Sequence, residues 1–310
     1  MRLTTAPRPV PLERLVSTVI RVTVTTGLVL SVLTWLAATP ASALSVQPFT
    51  IAFQTNANGA IALVGNNLET CPASDPACAA GRAGTGSKVN NNDFNMTFLN
   101  ADPAVSGNTT FFSSSAASFT LPAGAQVLYA QLSWGARVVA GTNGQDAVGP
   151  TNQMRLKLPG ATSYQTVTAS SLFSSGNAVQ SGMYHAFTNV TSLVKANPGG
   201  VTGQYWGANV AAATGLDRYA GWSLAIVYSD PAQPLRNLTV YNGFAVVQSG
   251  DPPQNVTVSG FLAPKFGPVN ANVGVVAYEG DLGLTGDQMQ LNSVPLSDAV
   301  VPSNNFFNSG

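Results

Sequence analysis

The sequence predicts an all-β chain: antiparallel sheets packed as a β-sandwich or jelly roll, following an N-terminal signal helix. Three observations carry that expectation. Apolar side chains recur at every second position in short runs, with almost no helical periodicity between them. The 30 glycines and 20 prolines punctuate the chain every few residues, the spacing of strands joined by turns. Charged residues make up 8% of the chain, against about 25% in ordinary soluble domains, and Ser, Thr, Asn and Gly fill the polar positions instead.

Residues 1–43 read as a signal peptide. Arg2, Arg8, Arg14 and Arg21 precede the uncharged apolar run Val22–Ala38, and Ala41-Ser42-Ala43 is a small-x-small cleavage signature. The run falls short of the ~20 apolar residues a spanning helix needs, so cleavage after Ala43 is expected, with an uncleaved membrane anchor as the alternative. Removing the segment takes four of 13 basic and one of 13 acidic residues, leaving nine against twelve, a net of −3. Such a chain has no basic stripe for nucleic acid. The mature protein is expected to be secreted or displayed on the cell surface.

Residues 44–310 read as one β-sandwich domain, with no internal repeat and no low-complexity linker to divide them. The first strand candidates are 49–55 and 60–64. Cys71 and Cys78 follow in "CPASDPAC", a turn-rich pair that an oxidising compartment turns into a local disulfide. Segment 81–93 has no periodicity and reads as a loop, and 94–99 and 117–121 as strands. In "AQVLYAQLSWGA", Leu128, Ala130, Leu132 and Trp134 share one face; in "GWSLAIVYSD", Trp222, Leu224, Ile226 and Tyr228 do. Period two therefore places both tryptophans in the core between two sheets. Further strands are expected at 153–158, 163–169, 183–194, 204–211, 236–247, 255–262, 272–279 and 288–292. Asn242-Gly243, between apolar runs, is a hairpin signal, with a bulge in one long strand as the alternative.

The blocks "LPAGAQVLYAQLSWGA", "GLDRYAGWSLAIVYSDPAQPLRNLTVYNGF" and "VVAYEGDLGLTGDQMQLN…LSDAVVPSNNFFNSG" resemble the N-terminal module of large exported bacterial surface proteins. In those proteins the module precedes arrays of conserved-repeat, Ig-like domains of unknown function. The resemblance covers roughly residues 90–310 and is most specific in 216–244 and 275–309. It implies a β-sandwich surface module and carries over no catalytic residue. Members continue past the point where this chain ends at "NNFFNSG", so the expectation is a fragment or a short member whose sandwich lacks a C-terminal strand.

The densest chemistry lies in "AYEGDLGLTGDQMQLN", residues 277–292, which holds Glu279, Asp281 and Asp287. Three carboxylates and the carbonyls of a glycine-rich turn are the hard oxygen ligands that Ca²⁺ takes, although the spacing is not that of an EF-hand. The preferred reading is a turn, in which Asp281 and Asp287 accept backbone N–H bonds and Gly280, Gly283 and Gly286 take positive φ. Glu279 and Asp281 as the acid and base of a glycoside hydrolase is a remote third reading. His185 is the sole histidine, and with no Gly-x-Ser-x-Gly elbow a Ser-His-Asp triad finds no support. It alternates onto the face of Met183 and Phe187 as a half-buried strand residue. Tyr205 and Trp206 point to opposite faces, so one of them is a candidate glycan platform, against a competing reading of Trp206 in the core with Ala208 and Val210. The sequence thus predicts no catalytic residue and no cofactor, Ca²⁺ being the one ion weighed. Expected partners are other surface proteins or glycans, not nucleic acid; a membrane is touched only through an uncleaved 1–43.

Overall fold

The computed structural model describes residues 44–175, 182–261, 266, 267 and 269–308. The signal-peptide reading of 1–43 lies outside the described residues. Strands are numbered in chain order. The larger sheet has the order β13 (Leu235–Val246), β1 (Leu44–Asn67), β12 (Ala220–Ser229), β5 (Gln126–Arg137), β9 (Met183–Asn189) and β8 (Ser171–Ser174). The second runs β4 (Ser114–Phe119), β10 (Gly203–Ala208), β6 (Gln153–Lys157) and β7 (Gln165–Thr168). A small sheet of β11 (Gly215–Leu216), β3 (Asn95–Phe98) and β2 (Glu69–Thr70) caps one end, and β14 (Gln290–Leu291) pairs with β15 (Val294–Pro295). Every paired strand is antiparallel. The fold is all-β, with two sheets packed face to face.

Strict alternation in β5 and β12 builds the core. Trp134 lies opposite Trp222, Leu132 opposite Leu224 and Ala130 opposite Ile226, so three cross-strand pairs project from one face. These side chains are buried against Met154 and Leu156 of β6 and Tyr205 of β10 in the second sheet. Both indoles are satisfied: Trp134 Nε1 donates to the Thr151 carbonyl at 2.9 Å, and Trp222 Nε1 donates to Ser115 Oγ at 3.0 Å. A buried tryptophan contributes a few kcal/mol of apolar transfer, and its donor adds no unsatisfied group to offset that gain.

One residue departs from the expected face. Val227 pairs with Tyr129 and Tyr228 with Val127, which leaves Leu128 as an extra residue in a bulge. Val127 consequently enters the core and Leu128 turns to the opposite side.

That opposite side is covered too. The first half of β1 pairs with β13 and the second half with β12, the switch falling between Asn58 and Gly59. A Cβ on Gly59 would stand 2.1 Å from the Tyr228 carbonyl oxygen, so the crossover needs glycine. The β1–β13 ribbon lies over the outer face of β5 and β12, where Phe53 stacks on Tyr129 at 4.8 Å and Leu238 and Val240 pack on Val227. Gln131 and Asn242 exchange side-chain hydrogen bonds of 2.6 and 2.8 Å beneath it. Asn242-Gly243 makes no hairpin; the alternative of one long strand with a bulge holds, since the register shifts between the Thr50–Asn242 and Gln47–Phe244 pairs. It lies inside β13, and Gly243 admits the ring of Phe49, whose Cγ would be 2.6 Å from an added Cβ.

The remaining differences follow from pairing. Candidates 49–55 and 60–64 form one strand, because β13 and β12 together offer partners along all of β1. Two short helices lie in the chain, α1 (Cys78–Arg82) and α2 (Thr191–Lys195). The expected strand 183–194 stops at Asn189, whose side chain accepts the Thr191 N–H at 2.9 Å where α2 begins, and α2 buries Val194. The described parts of 255–262 and 272–279 are not strands. Segment 274–278 lies across the outer face of the large sheet, Gly274 against Leu63 and Tyr278 against Gly135 and Gly221. A segment crossing a sheet's face meets no free row of N–H and C=O groups to pair with.

Candidate functional site

The disulfide forms. Cys71 and Cys78 are bonded, with Cα atoms 5.5 Å apart, and pack with Phe94 in a small buried cluster beside β3. The staple ties the loop after β2 to α1, outside the main core.

Segment 277–292 begins on the sheet and ends among acids. A Cβ on Gly135 would sit 2.6 Å from the Tyr184 carbonyl oxygen and 2.8 Å from Tyr278 Cε2, so a bare backbone in β5 is what lets the Tyr278 ring lie there. The Tyr278 hydroxyl is 3.0 Å from Nδ1 of His185. His185 stands in β9 beside Phe187, where alternation placed it, but it is 8% exposed rather than half-buried. Burial pushes it down to about 4, so the imidazole is neutral at physiological pH.

Asp287 accepts backbone N–H bonds as expected, but from outside its own turn: Oδ1 accepts the Phe307 N–H at 2.7 Å, and its carbonyl accepts that of Phe306. Gly286 takes φ +127°, whereas Gly280 and Gly283 do not have positive φ. Gly283 instead gives its N–H to Asn90 Oδ1 at 2.7 Å, which docks the turn on the 89–93 loop. Asp281 differs from the expected turn acid, because its Oδ1 is buried with no hydrogen-bond partner. Water displaced by the surrounding chain raises Asp281, and the carboxylates of Asp217, Asp93 and Asp287 raise it further. Glu279 is exposed in area, yet desolvation, followed by the charges of Asp281 and Asp217, pushes it up to about 7 while Arg137 pulls it back. Among the described residues no three His, Cys, Asp or Glu side chains converge as a group that would hold a metal ion. Glu279 and Asp281 are each raised in part by the carboxylates around them, Asp287 among these.

Two arginines and a buried acid lie beside this region. Asp217 has a left-handed backbone, φ +57°, and its carboxylate pairs with Arg137 and more distantly with Arg218 at 3.8 Å. Arg218 spends its donors on the carbonyls of Val139, Ala140, Leu216 and Asp217, pinning two loops together. Glu69, at the start of β2, is 4% exposed, and neither carboxylate oxygen has a hydrogen-bond partner. Burial pushes it up to about 8, against the pull of Arg218. Sequence reasoning passed over Glu69 because 68–70 carries no strand pattern of its own.

Of the two residues weighed as a glycan platform, one faces the core and one does not. Tyr205 is fully buried, with its hydroxyl donating to the Val201 carbonyl at 2.7 Å, and cannot meet a ligand. Trp206 is the half-buried member, with the Lys157 ammonium 5.0 Å from its ring centroid. The competing reading of Trp206 in the core with Ala208 and Val210 fails for a local reason. Asn209 sits at φ +54°, which breaks the alternation and returns Val210 to the side of Tyr205.

Beyond Trp206 lies a constellation the sequence did not announce. The Lys157 ammonium pairs with Asp102, and the Tyr164 hydroxyl donates to the same Oδ2 at 2.8 Å. Asp102 also accepts the Ala104 N–H on Oδ1 at 2.9 Å. Burial alone would raise Asp102, but the bonds from Lys157, Ala104 and Tyr164 outweigh it and hold the carboxyl below its usual range. The partners are 55 and 62 residues apart in the chain, so no local motif announces them.

Comparison with family models, curated proteins and solved structures returned no match.

Proposed function

We propose that the chain is an exported β-sandwich module with a structural or adhesive role at the cell surface, and that it carries out no catalysis. The observation that carries this reading is the Cys71–Cys78 disulfide on an all-β body poor in charge. Disulfides persist in oxidising compartments, and a sandwich of short strands presents its loops and edges while its centre stays packed. The 1–43 leader and the resemblance of 216–244 and 275–309 to modules of exported surface proteins support the same reading. On it, the partners are other surface proteins or glycans.

Cells displaying the full chain, layered on immobilised cell-surface glycans and proteins, test it. The expected result is saturable adhesion without release of any product from the coated surface. Product release that stops in a Glu279→Gln variant would replace the adhesive reading with that of a carboxylate-dependent glycoside hydrolase.

A further inference from the structure

Next to the Asp102–Lys157 pair, the surface opens into a concavity of about 280 Å³ that includes Phe111, Arg155, Ser163 and Tyr164 among its lining residues. The geometry points to a binding site here for a carboxylate-bearing sugar ring. Neither Tyr205 nor Trp206 is among its lining residues, although Lys157, which is, lies against the Trp206 ring.

Charge selects the ligand class. Lys157 lines the concavity but is already neutralised by Asp102. Arg155 is not: its guanidinium lies 5.0 Å from the Phe111 ring centroid, and among the described residues it pairs with no carboxylate. A planar guanidinium with free donors matches a carboxylate in a two-point fork, a match that an ammonium does not reproduce. Stacking on Phe111 holds that fork at the wall without using its N–H groups.

Shape selects the rest. Phe111 and Tyr164 stand with ring centroids 4.9 Å apart and planes tilted by 48°, two apolar walls meeting at an angle. The C–H face of a pyranose suits such a wall, and the exposed Thr162 and Ser163 offer hydroxyls for its hydroxyl groups. At just under the roughly 300–1,000 Å³ of drug-sized pockets, the space suits one ring and not a buried chain. The walls are fixed before any ligand arrives. Arg155 lies within β6, opposite Thr166 of β7 and Ala208 of β10, and Tyr164 is tied to Asp102 through its hydroxyl. A site built on a strand and a buried ion pair loses little entropy on binding.

The site gives the adhesive reading a ligand class, and it rests on that reading only for where the ligand is met. Titration calorimetry on the full chain with methyl glucuronoside and with the matching methyl glucoside isolates the carboxylate. Saturable binding of the glucuronoside, about tenfold or more tighter than the glucoside, is expected from a charge-assisted fork. Arg155→Gln should abolish that preference, and Arg155→Lys should restore part of it, both with an unchanged melting midpoint. Equal binding of the two glycosides, no saturable binding of either, or a preference that survives Arg155→Gln would overturn the proposal. A failed titration leaves adhesion to proteins intact, whereas failed surface display leaves the titration intact, so the two ideas fail separately.

Discussion

Replacing Glu69 with glutamine should stabilise the protein at pH 8 and leave it almost unchanged near pH 5. The carboxyl is 4% exposed and neither oxygen is hydrogen-bonded, so its ionised form finds little compensation in the fold. Its ordinary value is 4.5, and burial pushes it up to about 8, with the pull of Arg218 already acting. The sign follows from proton counting. Between about 4.5 and about 8 the unfolded chain has released this proton and the folded protein still holds it. Unfolding therefore releases a proton in that window, and stability falls as pH rises through it, with no further loss above about 8. At about 1.4 kcal/mol per pH unit, the accumulated penalty is on the order of 3–5 kcal/mol. Glutamine keeps the shape and removes the ionisation. Urea unfolding followed by tryptophan emission, at pH 5, 6, 7, 8 and 9, reads the difference between the two proteins. The variant's advantage should be near zero at pH 5 and reach a few kcal/mol at pH 8. A Glu69→Gln protein less stable than wild type at pH 8, or an advantage that does not change with pH, would refute the reasoning. Either would mean that Arg218 compensates the ionised carboxylate in full.

The Asp102–Lys157 pair behaves in the opposite sense. Asp102 is held below its usual range, so its contribution is present above about pH 4 and disappears as acid carries the pH through its folded value. Asp102→Asn leaves a buried ammonium unpaired and should cost about 3–5 kcal/mol in urea unfolding at pH 7, more than the double change Asp102→Asn/Lys157→Met. Gly135→Ala forces a methyl group toward the Tyr184 carbonyl and the Tyr278 ring and should cost about 1–3 kcal/mol, read as a lowered melting midpoint. On the turn reading of 279–287, melting with and without a chelator should give the same midpoint; a midpoint that drops in chelator would favour the calcium reading instead.

Where the sequence was readable, one physical rule governed the local chain. Leu132, Trp134, Leu224 and Ile226 alternate in strands with neighbours on both edges, so period two translated directly into one buried face. The rule broke where the backbone stepped out of register. Leu128 and Asn209 look like ordinary strand residues, and only pairing and backbone angle reveal the bulge and the left-handed step that exchange their faces. Asn242-Gly243 left hairpin and bulge both open for a related reason: the bare backbone that suits a turn also suits close approach of Phe49 at a register shift. The alternation in 272–279 was real in sequence but served contact with a sheet's face instead of pairing at its edge. At the candidate sites, the acceptor role of Asp287 was legible, but its donor, Phe307, 20 residues further on, was not. Glu69 with Arg218, Asp102 with Lys157, and Arg155 on Phe111 were not, since each joins residues far apart in the chain.

Export is the premise on which the functional account stands. Cells producing the full chain with a C-terminal tag, treated with a membrane-impermeant amine label and analysed by mass spectrometry, report location, N-terminus and thiol state together. The account predicts labelled protein beginning at Leu44 with Cys71 and Cys78 joined. Unlabelled protein that begins at Met1 and carries two free thiols would contradict it.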